Sequence, residues 1–268
     1  MVRLFAVLLL PLLLFAASIK EKVKEIIGTE KFNQSLLIIN TVFANEKRFM
    51  HDSQVDMLKI LQTLKKLGFI KSSLEAPQKQ SIELYSFTAN PLVYKLFLRS
   101  IEEAGVFRYQ IDRIVQDDDG VFARLSFYSS FIADPVKITK FLHHYGAKVL
   151  SVVVEENSWR YYIDFTQARF AALSLQKELH IPNIRKGVWI ESNGFTSFLI
   201  KSHRKNHWHP RIYIYDSNLN PVDVIKKTKR VKKLRLKLPK GFYYIKIADT
   251  FTIDNIKYGI DIYALEDK

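Results

Sequence analysis

One unit occurs twice in this chain and limits its fold more than any other feature: a short polar residue, a proline, a helical stretch, a glycine, then a strand pattern. Asn90-Pro91 opens the first copy and Gly105 closes its helix; Asp134-Pro135 and Gly146 do the same 44 residues later. Asn and Asp cap helix N-termini, proline suits a first helical position whose N–H would lack a partner, and glycine takes the left-handed conformation that ends a helix. Ser81 to Ala89 alternates as a strand ahead of the first copy. Residues 107–115 and 121–130 follow as strands around Asp117-Asp118-Asp119-Gly120, and 148–155 and 159–165 as strands around Asn157. This order predicts a ferredoxin-like split βαβ domain over 81–165, with two helices on one face of an antiparallel sheet.

The flanks differ in kind. Residues 19–73 repeat apolar positions at helical spacing (Leu36, Ile39, Phe43, then Val55, Leu58, Leu61), which predicts a helical pair, the second capped by Asp52 or Ser53 and ending at Gly68. Residues 74–80, with Pro77, read as a linker, and 166–186 as a helical linker carrying a helix over Gln167 to Leu179. From 187 to 268 the pattern is short strands between turns at Asn193-Gly194, Asp216 to Pro221, Pro239 to Gly241 and Asp254-Asn255, which predicts an antiparallel β-sandwich. The fold class is α+β: N-terminal helices, a ferredoxin-like domain, then the sandwich.

Two stretches resemble known families. The element order of 81–165 resembles the ferredoxin-like domains of pilus and secretion assembly proteins, which implies protein contact rather than chemistry. Arg211-Ile212-Tyr213-Ile214-Tyr215-Asp216, Leu234 to Leu238 followed by Pro239-Lys240-Gly241-Phe242-Tyr243-Tyr244, and Tyr258-Gly259-Ile260-Asp261-Ile262-Tyr263 resemble the closing strands of the bacterial pre-peptidase C-terminal β-sandwich. That family implies a non-catalytic appendage; here no peptidase lies upstream and the module is basic rather than acidic. The chain as a whole resembles a family of periplasmic proteins, which implies an address and no activity.

The N-terminus supports that address. Arg3, an apolar run from Leu4 to Phe15 and small residues Ala16 and Ser18 form a secretory signal peptide over 1–18, expected to be cleaved after Ser18, which places the mature chain in the periplasm without a transmembrane helix. Retention as an anchor is the alternative. The chain has no cysteine, which excludes disulfides, thiol catalysis and thiolate metal sites.

Charge separates the two halves. Residues 19–165 hold 20 basic and 18 acidic side chains, whereas 166–268 hold 20 and 9. The excess centres on Lys226, Lys227, Lys229, Arg230, Lys232, Lys233, Arg235 and Lys237, with Arg204, Lys205 and Arg211 nearby. A solvated strand edge explains the alternation of Lys233, Arg235 and Lys237 with leucines, but an ordinary surface mixes both signs. These eleven cations therefore point to an anionic partner: an envelope protein, lipid head groups or a cell-wall polymer. Nucleic acid fits the charge but not the export signal.

Other candidates are weaker. Trp189, Trp208 and Tyr213 offer ring surfaces for a glycan. His203, His207 and His209 fall within seven residues and have the imidazoles of a metal site, yet cations surround them and no carboxylate is near in sequence. The Asp117 to Asp119 run lacks the ligand spacing of a calcium loop. No Gly-rich phosphate loop, nucleophile elbow or zinc-protease helix occurs, so no catalytic residue and no cofactor is expected. The leading expectation is a non-enzymatic scaffold or accessory protein of an envelope assembly. A carbohydrate- or cell-wall-binding module and a hydrolase with a spatially assembled site are the alternatives.

Overall fold

The computed structural model describes residues 18–51, 54–117, 120–170 and 172–265. The chain forms two units that meet in sequence at Arg169 and Phe170. Its α+β class is as expected. The signal segment, apart from Ser18, lies outside the described residues.

In the first unit, α1 (Ile19–Ile27), α2 (Thr29–Gln34) and α3 (Leu36–Val42) replace the first expected helix. Gly28, at φ +82°, separates α1 from α2. A short β1–β2 hairpin (Met50–His51, Gln54–Val55) leads to α4 (Met57–Lys66). Its N-cap is Asp56, which accepts from the Lys59 N–H, rather than Asp52 or Ser53, which lie outside the described residues. Both ends of this segment are built into the unit: α1 packs on β6 (Lys148–Glu155), and α4 packs on α6 (Pro135–His144) and β6.

The sheet contains β3 (Ser73–Ser86), β4 (Gln110–Asp117), β5 (Gly120–Phe131), β6 and β7 (Ser158–Asp164), in the order β4-β5-β3-β7-β6. The helix α5 (Pro91–Glu103) lies between β3 and β4 in sequence, and α6 between β5 and β6. Both repeated caps form: Asn90 accepts from the Val93 N–H and Asp134 from the Val136 N–H. Two expectations change. The sheet is mixed rather than antiparallel, because the second strand of the β6–β7 hairpin inserts beside β3 and runs parallel to it. The expected 74–80 linker belongs to β3, whose pairing shifts between Ser73 and Gln78. Pro77 sits in that irregular stretch, where a missing N–H costs no ladder bond.

One face of the sheet is apolar, with Ile82, Leu84, Leu125 and Tyr161 buried. On the other, Glu83 lies between its cross-strand neighbours Arg124 and Arg160. Its carboxylate takes Nε of Arg160 at 2.8 Å and faces Nε of Arg124 at 3.5 Å. Gly120 is obligatory at the tip of β5: at φ +141° a Cβ there would lie 2.1 Å from the Ser86 carbonyl oxygen.

The second unit is two facing sheets. One has the order β13-β12-β15-β10-β8, the other β14-β11-β16-β9. Their strands are β8 (Leu173–Ser174), β9 (Glu178–Ile181), β10 (Val188–Glu191), β11 (Ser197–Ser202), β12 (Pro210–Tyr215), β13 (Pro221–Lys226), β14 (Lys233–Lys237), β15 (Tyr244–Asp249) and β16 (Ile260–Leu265). Alternation fills the space between them: Ile190, Ile212, Ile214, Ile245 and Ile247 from one sheet face Phe198, Ile200, Leu234, Leu236 and Ile262 from the other. The helix expected at 167–179 does not form. β8 and β9 occupy that region as the edges opposite β13 and β14, and β8 pairs parallel to β10.

Candidate functional site

The connections of the sandwich sort by end. Register places the C-terminal ends of β9, β11, β13 and β15 beside the starts of β10, β12, β14 and β16. The connecting loops 182–187, 203–209, 227–232 and 250–259 therefore share one end of the unit. They carry Arg185, Lys186, Arg204, Lys205, Lys227, Lys229, Arg230, Lys232 and Lys257, all exposed, against Asp254 as the one exposed acid. The loops at the other end, 175–177, 192–196, 216–220 and 238–243, carry Lys177, Asp216 and Lys240. An excess that looked like a run in sequence is a charged pole in space.

The eleven predicted cations divide accordingly. Arg204, Lys205, Lys227, Lys229, Arg230 and Lys232 lie in the pole loops, and Lys226, Arg211 and Lys233 on strand ends beside them, Lys226 paired with Arg211 across β13 and β12. Arg235 and Lys237 continue outward along β14, an edge strand, with Leu234 and Leu236 turned into the core. There the edge reading holds: across β11 the same sheet face carries Asp261, Glu178 and His180, whose Nδ1 lies 2.6 Å from Asp261. Spacing could not show that Arg185, Lys186 and Lys257 join the pole from loops far away in sequence.

Buried polar groups fix the pole loops. Asn206 is 3% exposed. Its Nδ2 donates to the Gly259 carbonyl at 2.7 Å, its Oδ1 accepts from the Tyr258 N–H at 3.1 Å, and its own carbonyl accepts from the Arg230 guanidinium at 2.6 Å. The Thr250 hydroxyl joins the Pro210 and Lys227 carbonyls. Asp249 accepts from the N–H groups of His209, Phe251 and Thr252 and from the Asn255 amide, at 2.6 to 3.1 Å. Burial by itself would raise the Asp249 carboxyl, but these four donors outweigh it and hold the group below the ordinary carboxylate range. Gly259 completes the turn: at φ +101°, a Cβ would stand 2.6 Å from the Ile181 carbonyl oxygen. The cations thus project from a fixed frame rather than from loose loops.

The ring candidates separate. Trp208 is 0% exposed and donates Nε1–H to the Ala248 carbonyl at 2.9 Å. It belongs to the core, so it offers no ligand surface. Trp189 and Tyr213 are half-buried on the outer face of the five-stranded sheet, with Tyr215 beside both, at 5.1 Å from Trp189 and 6.4 Å from Tyr213. The Lys246 ammonium lies 5.4 Å from the Trp189 ring and 5.6 Å from the Tyr213 ring, and Arg211 lies over Tyr213 at 5.1 Å.

The three histidines do not converge. His203 accepts from the Lys205 N–H, His209 stands 3.6 Å from Asp249 and packs on Phe251, and His207 is exposed. Among the described residues no group of three His, Asp or Glu side chains is placed to hold a metal. One serine and lysine do meet: Ser151 Oγ accepts from Lys22 Nζ at 2.9 Å and donates to Glu25 at 2.8 Å. Ser151 is 0% and Lys22 1% exposed, so this contact pins α1 to β6 out of reach of a substrate. No helix among the described residues is long and apolar enough to cross a membrane.

No family model matches the chain and no curated protein does. Two solved structures, both of CBM51-2 and INT domains from Clostridium perfringens ZmpB and one of them in complex with GlcNAc, match at 14% and 12% identity with TM-scores of 0.19 and 0.18. Each covers 70% of this chain and 47% of its own, so the chain spans about half the length of those structures. Likenesses this slight carry no argument.

Proposed function

We propose that this is a non-enzymatic accessory protein of a periplasmic envelope assembly, exported by its N-terminal segment, whose C-terminal unit docks on an anionic surface. One observation carries the reading: nine exposed cations on a hydrogen-bonded frame face a single exposed acid at one end of the sandwich. A field of one sign concentrates oppositely charged partners and speeds encounter, and it is screened within about 8 Å at physiological salt. In this reading the first unit supplies protein contacts, as the resemblance to ferredoxin-like assembly domains implies. In-cell crosslinking of the tagged chain, with mass spectrometry of what is captured, tests it. Envelope components held by the native chain and lost from Lys227→Glu/Lys229→Glu/Lys232→Glu support the reading; equal capture by both chains contradicts it.

A second reading follows from the outer face of the five-stranded sheet, where Trp189, Tyr213 and Tyr215 group with Lys246. Such a set suits a sugar ring bearing a negative group, which makes the unit a cell-wall glycan binder. Retention on acidic glycans that Trp189→Ala removes supports this alternative, and a blank glycan array eliminates it.

A further inference from the structure

The pole holds a feature that charge alone does not require. Phe251 is 65% exposed and Tyr258 45% exposed, both in the 250–259 loop. Tyr258 lies among cations, with the ammonium groups of Lys205 and Lys257 at 5.7 and 5.4 Å from its ring centre and the His203 ring at 6.0 Å. Phe251 sets its ring against His209 at 4.9 Å, and its N–H is held by Asp249 at 2.8 Å. The backbone around both rings is fixed by Asp249, Asn206 and Thr252, the last accepting from the Asp254 N–H. A fixed loop cannot fold its apolar rings away from water. Exposed apolar surface costs about 25 cal/mol per Å² unless something covers it.

A ring set among ammonium groups, with a second exposed ring on the same loop, matches one environment closely. At a bilayer surface aromatic side chains settle at the level of the glycerol and upper acyl chains, while lysines extend to the phosphates above. A soluble polyanion would be served by the cations alone and would leave Phe251 in water. The cations are mostly lysine, a hydrated point charge, and the Arg230 guanidinium is already engaged by the Asn206 carbonyl. That suits many hydrated head groups better than bidentate recognition of one.

We propose that the 250–259 loop is a membrane-docking tip: Phe251 and Tyr258 enter the interface of an anionic bilayer while Lys205, Lys227, Lys229, Lys232 and Lys257 meet its head-group phosphates. This rests on the reading of the pole as an anion-docking surface and names the occupant. Neither ring lies in the sandwich core, so both can be changed without disturbing it.

The test is co-sedimentation of the full chain with vesicles of phosphatidylcholine alone and of phosphatidylcholine mixed with phosphatidylglycerol. The apolar Leu4 to Phe15 run is common to every variant, and the neutral vesicles read its contribution. The native chain is expected to favour the mixed vesicles, and Phe251→Ser/Tyr258→Ser to lose about tenfold of that preference, as expected for withdrawing two rings from an apolar layer. Phe251→Leu/Tyr258→Phe should bind like the native chain, which separates insertion from a disturbed loop. Undiminished binding by the serine variant overturns the tip and leaves electrostatic docking standing. Absence of any phosphatidylglycerol preference, with salt-sensitive retention on polyglutamate beads, overturns the lipid occupant alone. Absence of both overturns the docking reading with it.

Discussion

The two units use their charges in opposite ways. In the first, cations are matched to acids within the fold: Glu83 sits between Arg124 and Arg160, Lys65 reaches Asp134 at 2.6 Å, and Lys22 shares Ser151 with Glu25. In the second, Asp249 at the end of β15 turns inward to hold backbone N–H groups, and the exposed cations of the pole loops face outward. Similar numbers of basic residues thus serve internal cohesion in one unit and a field directed at solvent in the other. The difference lies in the acids, 18 in residues 19–165 against 9 in 166–268.

Four variants sharpen that contrast or break it. Glu83→Ala leaves two guanidinium groups without their buried partner and is expected to destabilise the first unit by about 3 kcal/mol, measured by urea unfolding. Lys227→Glu/Lys229→Glu/Lys232→Glu is expected to weaken binding to anionic surfaces at least about tenfold at low salt. The same triple variant should leave unfolding free energy within roughly 0.5 kcal/mol per site, as surface changes do. Equal stability losses from the two sets of changes would erase the distinction between the units.

Asp249→Asn is expected to cost about 1 kcal/mol, because the amide accepts the same N–H groups more weakly. The pH dependence follows from the depressed carboxyl. Its folded value lies below the unfolded one of about 3.9, so its stabilisation is complete above that range and is lost as pH falls through the folded value. Denaturation across acid pH should show this loss in the native chain and not in Asp249→Asn. The smallest effect belongs to the far end of the sandwich: Lys177→Glu/Lys240→Glu should change anionic binding by no more than about twofold, since those sites lie beyond a Debye length of the pole.

Local chemistry made the helices of the first unit legible. Asn90-Pro91 and Asp134-Pro135 satisfy helix ends with groups a few residues apart, so the sequence contains both partners of each bond. The insertion of β7 beside β3 depends on pairing between strands more than 70 residues apart and has no local signature. At 167–181 the sequence suggested a helix over Gln167 to Leu179, and pairing with strands distant in sequence, β8 with β10 and β9 with β16, decided for strands. Pro77 suggested a linker because a strand bulge and a loop admit proline for the same reason.

The site was half visible. Eight cations in twelve residues announced the basic character, but as a stripe along one strand. Loop geometry instead takes Lys227 to Lys232 off the sheets and brings in Arg185, Lys186 and Lys257, a convergence fixed by strand register rather than spacing. Trp208 was misplaced because burial of a ring in a polar loop leaves no trace in composition. Tyr258 reads in sequence as the start of a closing strand, but that strand begins at Ile260 and leaves Tyr258 in the loop, and nothing local marks Phe251 as exposed.

The docking role of the pole is tested most directly by sedimentation of the chain with isolated cell envelopes across a series of salt concentrations, the native protein beside Lys227→Glu/Lys229→Glu/Lys232→Glu. Native binding is expected to fall steeply as salt rises, and the variant to be released already at low salt. Native binding that ignores salt, or a variant that sediments as the native chain does, would contradict it.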